Sequence, residues 1–141
     1  MLPVEPDRIQ KIRRADGIFS LVDITSLITG KTTNEAGEQI RRVNQRYPEA
    51  KAKILSFKFP GRGQQQTPVG SIYVAVEMIM LLPGVRAGRL RSEAARLLVQ
   101  CFGGDLRLAD AVIENRQKQD NLRAEQPSHP ARVLGEHVER E

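Results

Sequence analysis

Apolar and polar positions change period several times along this chain, and each change marks an element. Residues 17–22, Gly-Ile-Phe-Ser-Leu-Val, form a short β-prone run that opens the ordered part. Asp23 is then placed to cap a helix over 24–29, with Ile24, Leu27 and Ile28 at helical spacing and Gly30 to end it. Thr32 and Glu35 have capping-box spacing. They predict a helix over 34–46 that buries Ala36, Ile40, Val43 and Tyr47 and turns Arg41, Arg42, Gln45 and Arg46 outward, with Pro48 as its stop. Two helices joined by a few residues, the second carrying exposed arginines, have the outline of a helix-turn-helix.

The period then drops to two. In 51–59, Leu55, Phe57 and Phe59 alternate with Ile54, Ser56 and Lys58, the pattern of a half-buried strand. Pro60, Gly61 and Gly63 predict a loop through Gln66, and 67–69 returns as a second strand. Pro68 has no N–H to give a ladder, so this is expected at a sheet edge or strand end. Ser71 caps a helix over 72–82 that is apolar almost all round, the signature of a core helix. Glu77 is its one acid, expected to partner a neighbouring arginine. After Pro83-Gly84, a helix over 85–102 is expected to bury Leu90, Ala94, Leu97, Leu98 and Cys101. Asp105 caps a last helix, 106–122, whose apolar stripe (Leu108, Ala109, Val112, Ile113) fades after Glu114. The fold class expected is α+β, a small single domain of four to five helices with a short antiparallel hairpin. Its parts are a flexible basic arm over 1–16, the domain over 17–115, and a polar, disordered tail or linker over 116–141.

Composition adds a partner class. The 141 residues carry a net charge of +5, with 40% hydrophobic residues, enough for a core. The charge is localised. Residues 1–30 hold four acids and four bases. Residues 31–104 hold twelve Lys/Arg against five Asp/Glu, an excess of seven, and 105–141 hold six against eight, a deficit of two. A localised excess is the electrostatic footprint of a phosphate binder. The single cysteine excludes a disulfide framework within one chain and suits a reducing compartment, and Cys101 reads as a small buried hydrophobe. No run reaches the ~18 apolar residues of a membrane span, and the first residues lack an apolar signal core. An intracellular protein is expected, nuclear if eukaryotic.

The candidate chemistry is binding. Arg41, Arg42, Arg46, Lys58, Arg62, Arg86, Arg89 and Arg91 are the residues expected to neutralise phosphates, with Arg62, Gln64 and Gln65 in the Gly/Arg/Gln hairpin loop near base edges. Arg8, Lys11, Arg13 and Arg14 of the arm can follow a phosphate backbone. His129 and His137 lie apart in the polar tail, and neither a nucleophile–base pair nor zinc-ligand spacing is visible, so no enzyme, cofactor or metal is implied. The expected partner is double-stranded DNA. The rival reading is a protein-interaction module that docks an acidic partner or self-associates, as a homodimer for example.

The order of elements resembles the BRO-N/KilA-N group, small DNA-binding domains of large DNA viruses, phages and mobile elements. Residues 22–30, Val-Asp-Ile-Thr-Ser-Leu-Ile-Thr-Gly, look like the group's opening short helix and glycine, and 34–43 like its following helix. Residues 71–82, followed by Arg86-Ala-Gly-Arg-Leu-Arg-Ser-Glu-Ala-Ala95, resemble its closing pair, a basic turn before a helix that ends in an apolar run. The resemblance covers roughly 19–104 and implies a duplex-DNA-binding α+β domain.

Overall fold

In a computed structural model, which describes residues 12–61, 65–132 and 134–135, a tight hairpin comes first. Asp16 and Gly17 both have positive φ, 42° and 80°, the conformations a two-residue type I′ turn requires. They join β1 (Arg14–Ala15) to β2 (Ile18–Ser20), pairing Ala15 with Ile18 and Arg14 with Phe19. The arm expected through residue 16 therefore ends in paired strand. Residues 1–11, with Arg8 and Lys11 of its four bases, lie outside the described residues.

Ser20, not Asp23, is the first helix cap. Its hydroxyl accepts from the Asp23 N–H at 3.2 Å, and α1 (Leu21–Thr29) begins one residue on. Asp23 is thereby free to hold Arg13, which donates to it from its backbone N–H and Nε, each at 2.9 Å. That bond is the main reason the Arg13 guanidinium is held even more firmly protonated than usual. The same guanidinium lies 5.2 Å from the Phe59 ring centre. Arg13 thus ties the first hairpin to the fold and is not a spare cation of an arm. Gly30 ends α1 with φ 73° and donates its N–H to the Ser26 carbonyl.

Thr32 caps α2 (Thr33–Arg46). Thr32 Oγ1 accepts from the Glu35 N–H at 3.2 Å and donates to Glu35 Oε1 at 3.1 Å. Thr32→Ala is expected to lower the stability of the fold by about 1 kcal/mol; Thr32→Ser should keep most of it, and thermal melts of the two variants check the difference. Pro48 starts a single further turn, α3 (Pro48–Lys51).

The strand expected over 51–59 is shorter, β3 (Leu55–Lys58), because Lys51 still belongs to α3. It pairs antiparallel with β4 (Gln66–Gly70), and the four strands lie in the order β1-β2-β4-β3. Pro68 sits in an interior strand, yet β2 reaches only Val69 and Gly70. At Pro68 the ladder runs to β3 alone, so the missing N–H falls where β4 is still an edge.

Ser71 caps α4 (Ile72–Leu81), accepting from the Val74 N–H at 3.3 Å. This helix is not buried all round. Ala75 and Met78 are buried, and Leu82 just beyond it, but Tyr73, Val76 and Met80 face outward. Glu77 takes Lys53, at 2.9 Å, in place of an arginine. The core is Phe19, Leu21, Ile24, Ala36, Ile40, Val43, Phe59, Val69, Ala75, Met78, Leu82 and Ala87, built where α1 packs on α2, β4 and α4.

Two long helices follow, α5 (Val85–Phe102) and α6 (Leu106–Glu125). The described residues divide into two compact units within α5, one running to Gly88 (the Lys11–Gly88 unit) and the other starting at Arg89. The α+β character belongs to the first unit, and every described element from Arg89 onward is helical. Of the residues expected to be buried on α5, Leu90 is, while Leu98 and Cys101 are exposed. The disordered tail expected from residue 116 is instead helical to Glu125. The Pro130–Arg132 turn then folds back on it, Gln119 Nε2 donating to the Ala131 carbonyl at 2.9 Å and Arg132 Nη1 to Gln119 Oε1 at 3.2 Å.

Candidate nucleic-acid interface

The outward side of α2 gathers more of the expected residues than any other described surface. Its inner stripe, Ala36, Gln39, Ile40 and Val43, is buried, and Arg41, Arg42, Gln45 and Arg46 are exposed. Helical geometry divides these into two flanks. Arg42 and Arg46, four residues apart, share one. Arg41 and Gln45 lie on the other, alongside Gly37 and Asn44.

The Arg41 flank borders a concavity. Gly37, Arg41, Asn44 and Gln45 of α2, Lys51 at the end of α3 and Pro68 of β4 line an open hollow of about 300 Å³. A side-chain carbon on Gly37 would meet nothing within 4 Å. Packing does not demand a glycine here, although mid-helix glycine costs about 1 kcal/mol relative to alanine. Asn44 Oδ1 is buried beside the hollow without a hydrogen-bond partner. Arg41 is held by Glu38, Nη2 donating to Oε2 at 2.7 Å. That bond, with a smaller contribution from Arg42, holds the Glu38 carboxyl below its ordinary range.

On the opposite flank the Arg46 guanidinium lies 5.8 Å from the Tyr47 ring centre, in the last turn of α2, where a cation also suits the helix dipole.

The remaining expected residues divide. Arg86 lies at the turn between α1 and α2, its guanidinium against the Gly30 backbone so closely that a side chain on Gly30 would collide with it. It is exposed and packs beside Gly30 at the end of α1. Lys58 is exposed on the outer strand β3, and Gln65 is exposed just before β4, its carbonyl accepting from Thr67 Oγ1. Arg62 and Gln64 lie outside the described residues. Arg89 and Arg91 belong to the second unit, Arg89 exposed and Arg91 partly buried.

Sequence reasoning missed Lys51, Asn44 and Gly37. A lone glycine inside a helical pattern, at Gly37, is the one signal that was there to be read. Among the described residues no helix is long and apolar enough to cross a membrane, and no three His, Cys, Asp or Glu side chains gather as metal ligands do. No protein-family model matches the chain, and no curated protein or solved structure matches it either.

Proposed function

We propose that this protein binds duplex DNA through the Lys11–Gly88 unit, with α2 seated in the major groove. The supporting observation is the distribution of cations across α2 and its neighbour: Arg42 and Arg46 on one flank, Arg41 with Lys51 on the other. A helix with its side chains is about 10–12 Å across and the major groove about 12 Å wide. A helix lying in the groove therefore meets a phosphate backbone on each side. Between the flanks, Asn34 and Glu38 are exposed and stand opposite base edges. Gly37 lets the sugar–phosphate chain approach the helix closely. The role is non-enzymatic and belongs inside the cell, of the kind that the BRO-N/KilA-N resemblance implies.

The test is a titration of labelled duplex at several salt concentrations. Four cations on phosphate give a log–log slope of about −3 to −4. Gly37→Leu, which fills the hollow, should weaken binding about 10-fold while leaving stability unchanged or higher, since leucine favours helix over glycine. No shift of duplex at low salt, or binding indifferent to salt, overturns the reading. Capture of an acidic protein without any duplex shift replaces it with the docking alternative.

A further inference from the structure

α2 carries two acids among its outward cations, and they have different partners. Glu35 belongs to the first turn of the helix, where its carboxylate accepts from Thr32 Oγ1. Glu38 stands three residues on, between the two cationic flanks, with more than half of its side chain exposed. The two side-chain hydrogen bonds that reach it come from Arg41, and both go to one oxygen: Nε donates to Oε2 at 3.3 Å and Nη2 donates to it at 2.7 Å. Glu38 Oε1 and Arg41 Nη1 have no hydrogen-bond partner among the described residues. The pair is thus left with an acceptor and a donor for something else.

The fold does not ask for this carboxylate. An exposed ion pair three residues apart on a helix contributes little to stability, and a negative charge between cationic flanks lowers affinity for phosphate. What it provides is discrimination. In the major groove guanine presents two acceptors, thymine an acceptor and a methyl group, adenine an acceptor beside its amino group, and cytosine an amino group alone. An ionised carboxylate has no proton to donate, and Arg41 keeps Glu38 ionised, its hydrogen bonds holding the carboxyl below the ordinary range. Cytosine is the base whose edge meets such a group without an opposing lone pair. With α2 seated in the groove as proposed above, on which this rests, we infer that Glu38 Oε1 accepts from the N4 amino group of a cytosine and so fixes a C·G pair in the recognised sequence.

Arg41 is the positioning residue. Its two bonds to Oε2 hold the carboxylate in one orientation, and its Nη1 is left for the phosphate on its own flank. The guanidinium therefore bridges the sugar–phosphate chain and the base reader. The phosphate contact sets the register, whatever the sequence, and the base contact carries the information. Opposite guanine or thymine, Oε1 is stripped of water and faces another acceptor, and that penalty does most of the selecting.

Selection by the full chain from duplexes randomised over about 15 base pairs, one and a half helical turns, followed by anisotropy titration of single selected duplexes, tests this. The wild type is expected to enrich sites with a fixed C·G pair, and changing that pair to T·A should weaken binding about 10-fold. Glu38→Gln should move the preference at that one position to A·T, because a glutamine amide bonds adenine N6 and N7 together. Glu38→Ala should erase the preference there and bind unrelated duplex about threefold more tightly, a repulsion from phosphate having been removed. Thermal melts of both variants are expected within about 2 °C of wild type, so a change in sequence preference is not a change in folding. A wild type that binds duplex but selects no C·G pair, or that selects the same sites as Glu38→Gln, overturns the role of Glu38 and leaves the seating of α2 intact. A wild type that binds no duplex overturns both.

Discussion

Arg42→Glu with Arg46→Glu is expected to lower duplex affinity about 100-fold at ~0.1 M salt and to flatten the salt slope by about two. Both side chains are exposed on one flank of α2. Each loses a phosphate contact and gains a repulsion. The fold carries part of the change as well. Arg46 lies over the Tyr47 ring in the last turn of α2, so reversing it forfeits a cation–π contact and opposes the helix dipole, together about 1 kcal/mol. Thermal melts measure that loss, and fluorescence anisotropy well below the melting range measures binding separately. Arg42→Gln with Arg46→Gln removes attraction without adding repulsion and should fall between, near 10-fold. An affinity within about threefold of wild type for the glutamate pair would remove α2 from the groove. Arg86 is a poorer probe, because its guanidinium lies against Gly30 at the end of α1 and binding and stability have to be separated there.

Local chemistry was the legible part of this fold. Thr32, Ser71 and Asp105 cap helices where their spacing places them, because a cap is a contact between residues two or three apart. Gly30 ends its helix in the left-handed conformation for the same reason. The Asp16-Gly17 hairpin was equally local and was overlooked: Asp-Gly is a strong two-residue turn signal, yet it stood inside a segment read as an arm. Ser20 displaced Asp23 as a cap because Asp23 has a stronger partner in Arg13, ten residues away, which no window of a few residues contains.

Periodicity identified elements and misjudged what they face. An apolar stripe reads as a buried one for α4 and α5, but Val76, Leu98 and Cys101 are exposed. A stripe records that a surface has been selected to be apolar, and burial against the same chain is only one way to cover it. The polar tail failed in the opposite direction. Residues 116–125 carry no apolar stripe, but their charges pair at helical spacing, Arg116 with Asp120 for example, and such pairs support a helix without a core. The candidate site was half legible. Charge counting found the arginines of α2. It had no means of separating Arg41, already bonded to Glu38, from Arg42, nor of bringing in Lys51, which reaches the hollow only because Pro48 starts another turn.

Gly30→Ala should lower the stability of the Lys11–Gly88 unit by about 2 kcal/mol, a fall of roughly 10 °C in Tm for a unit of this size. Two causes contribute. At φ 73° a β-carbon is strained by its own backbone, and in this position it also displaces the Arg86 guanidinium. The second contribution is the smaller, because the far end of an arginine can swing away. What it loses is its place at the carbonyl end of α1, worth about 0.3–1 kcal/mol for a cation there. Gly30→Asn isolates the backbone cause, since asparagine tolerates the left-handed region better than alanine; it should cost less than alanine although it is larger. A double-mutant cycle isolates the other. If Arg86 caps α1, Arg86→Ala alone is destabilising, and in the Gly30→Ala background it costs less by about 0.5 kcal/mol. If denaturation midpoints show strict additivity, Arg86 contributes nothing at Gly30. Its guanidinium would then be wholly available to a phosphate at the α1–α2 turn, and Arg86→Ala would weaken duplex binding without touching stability.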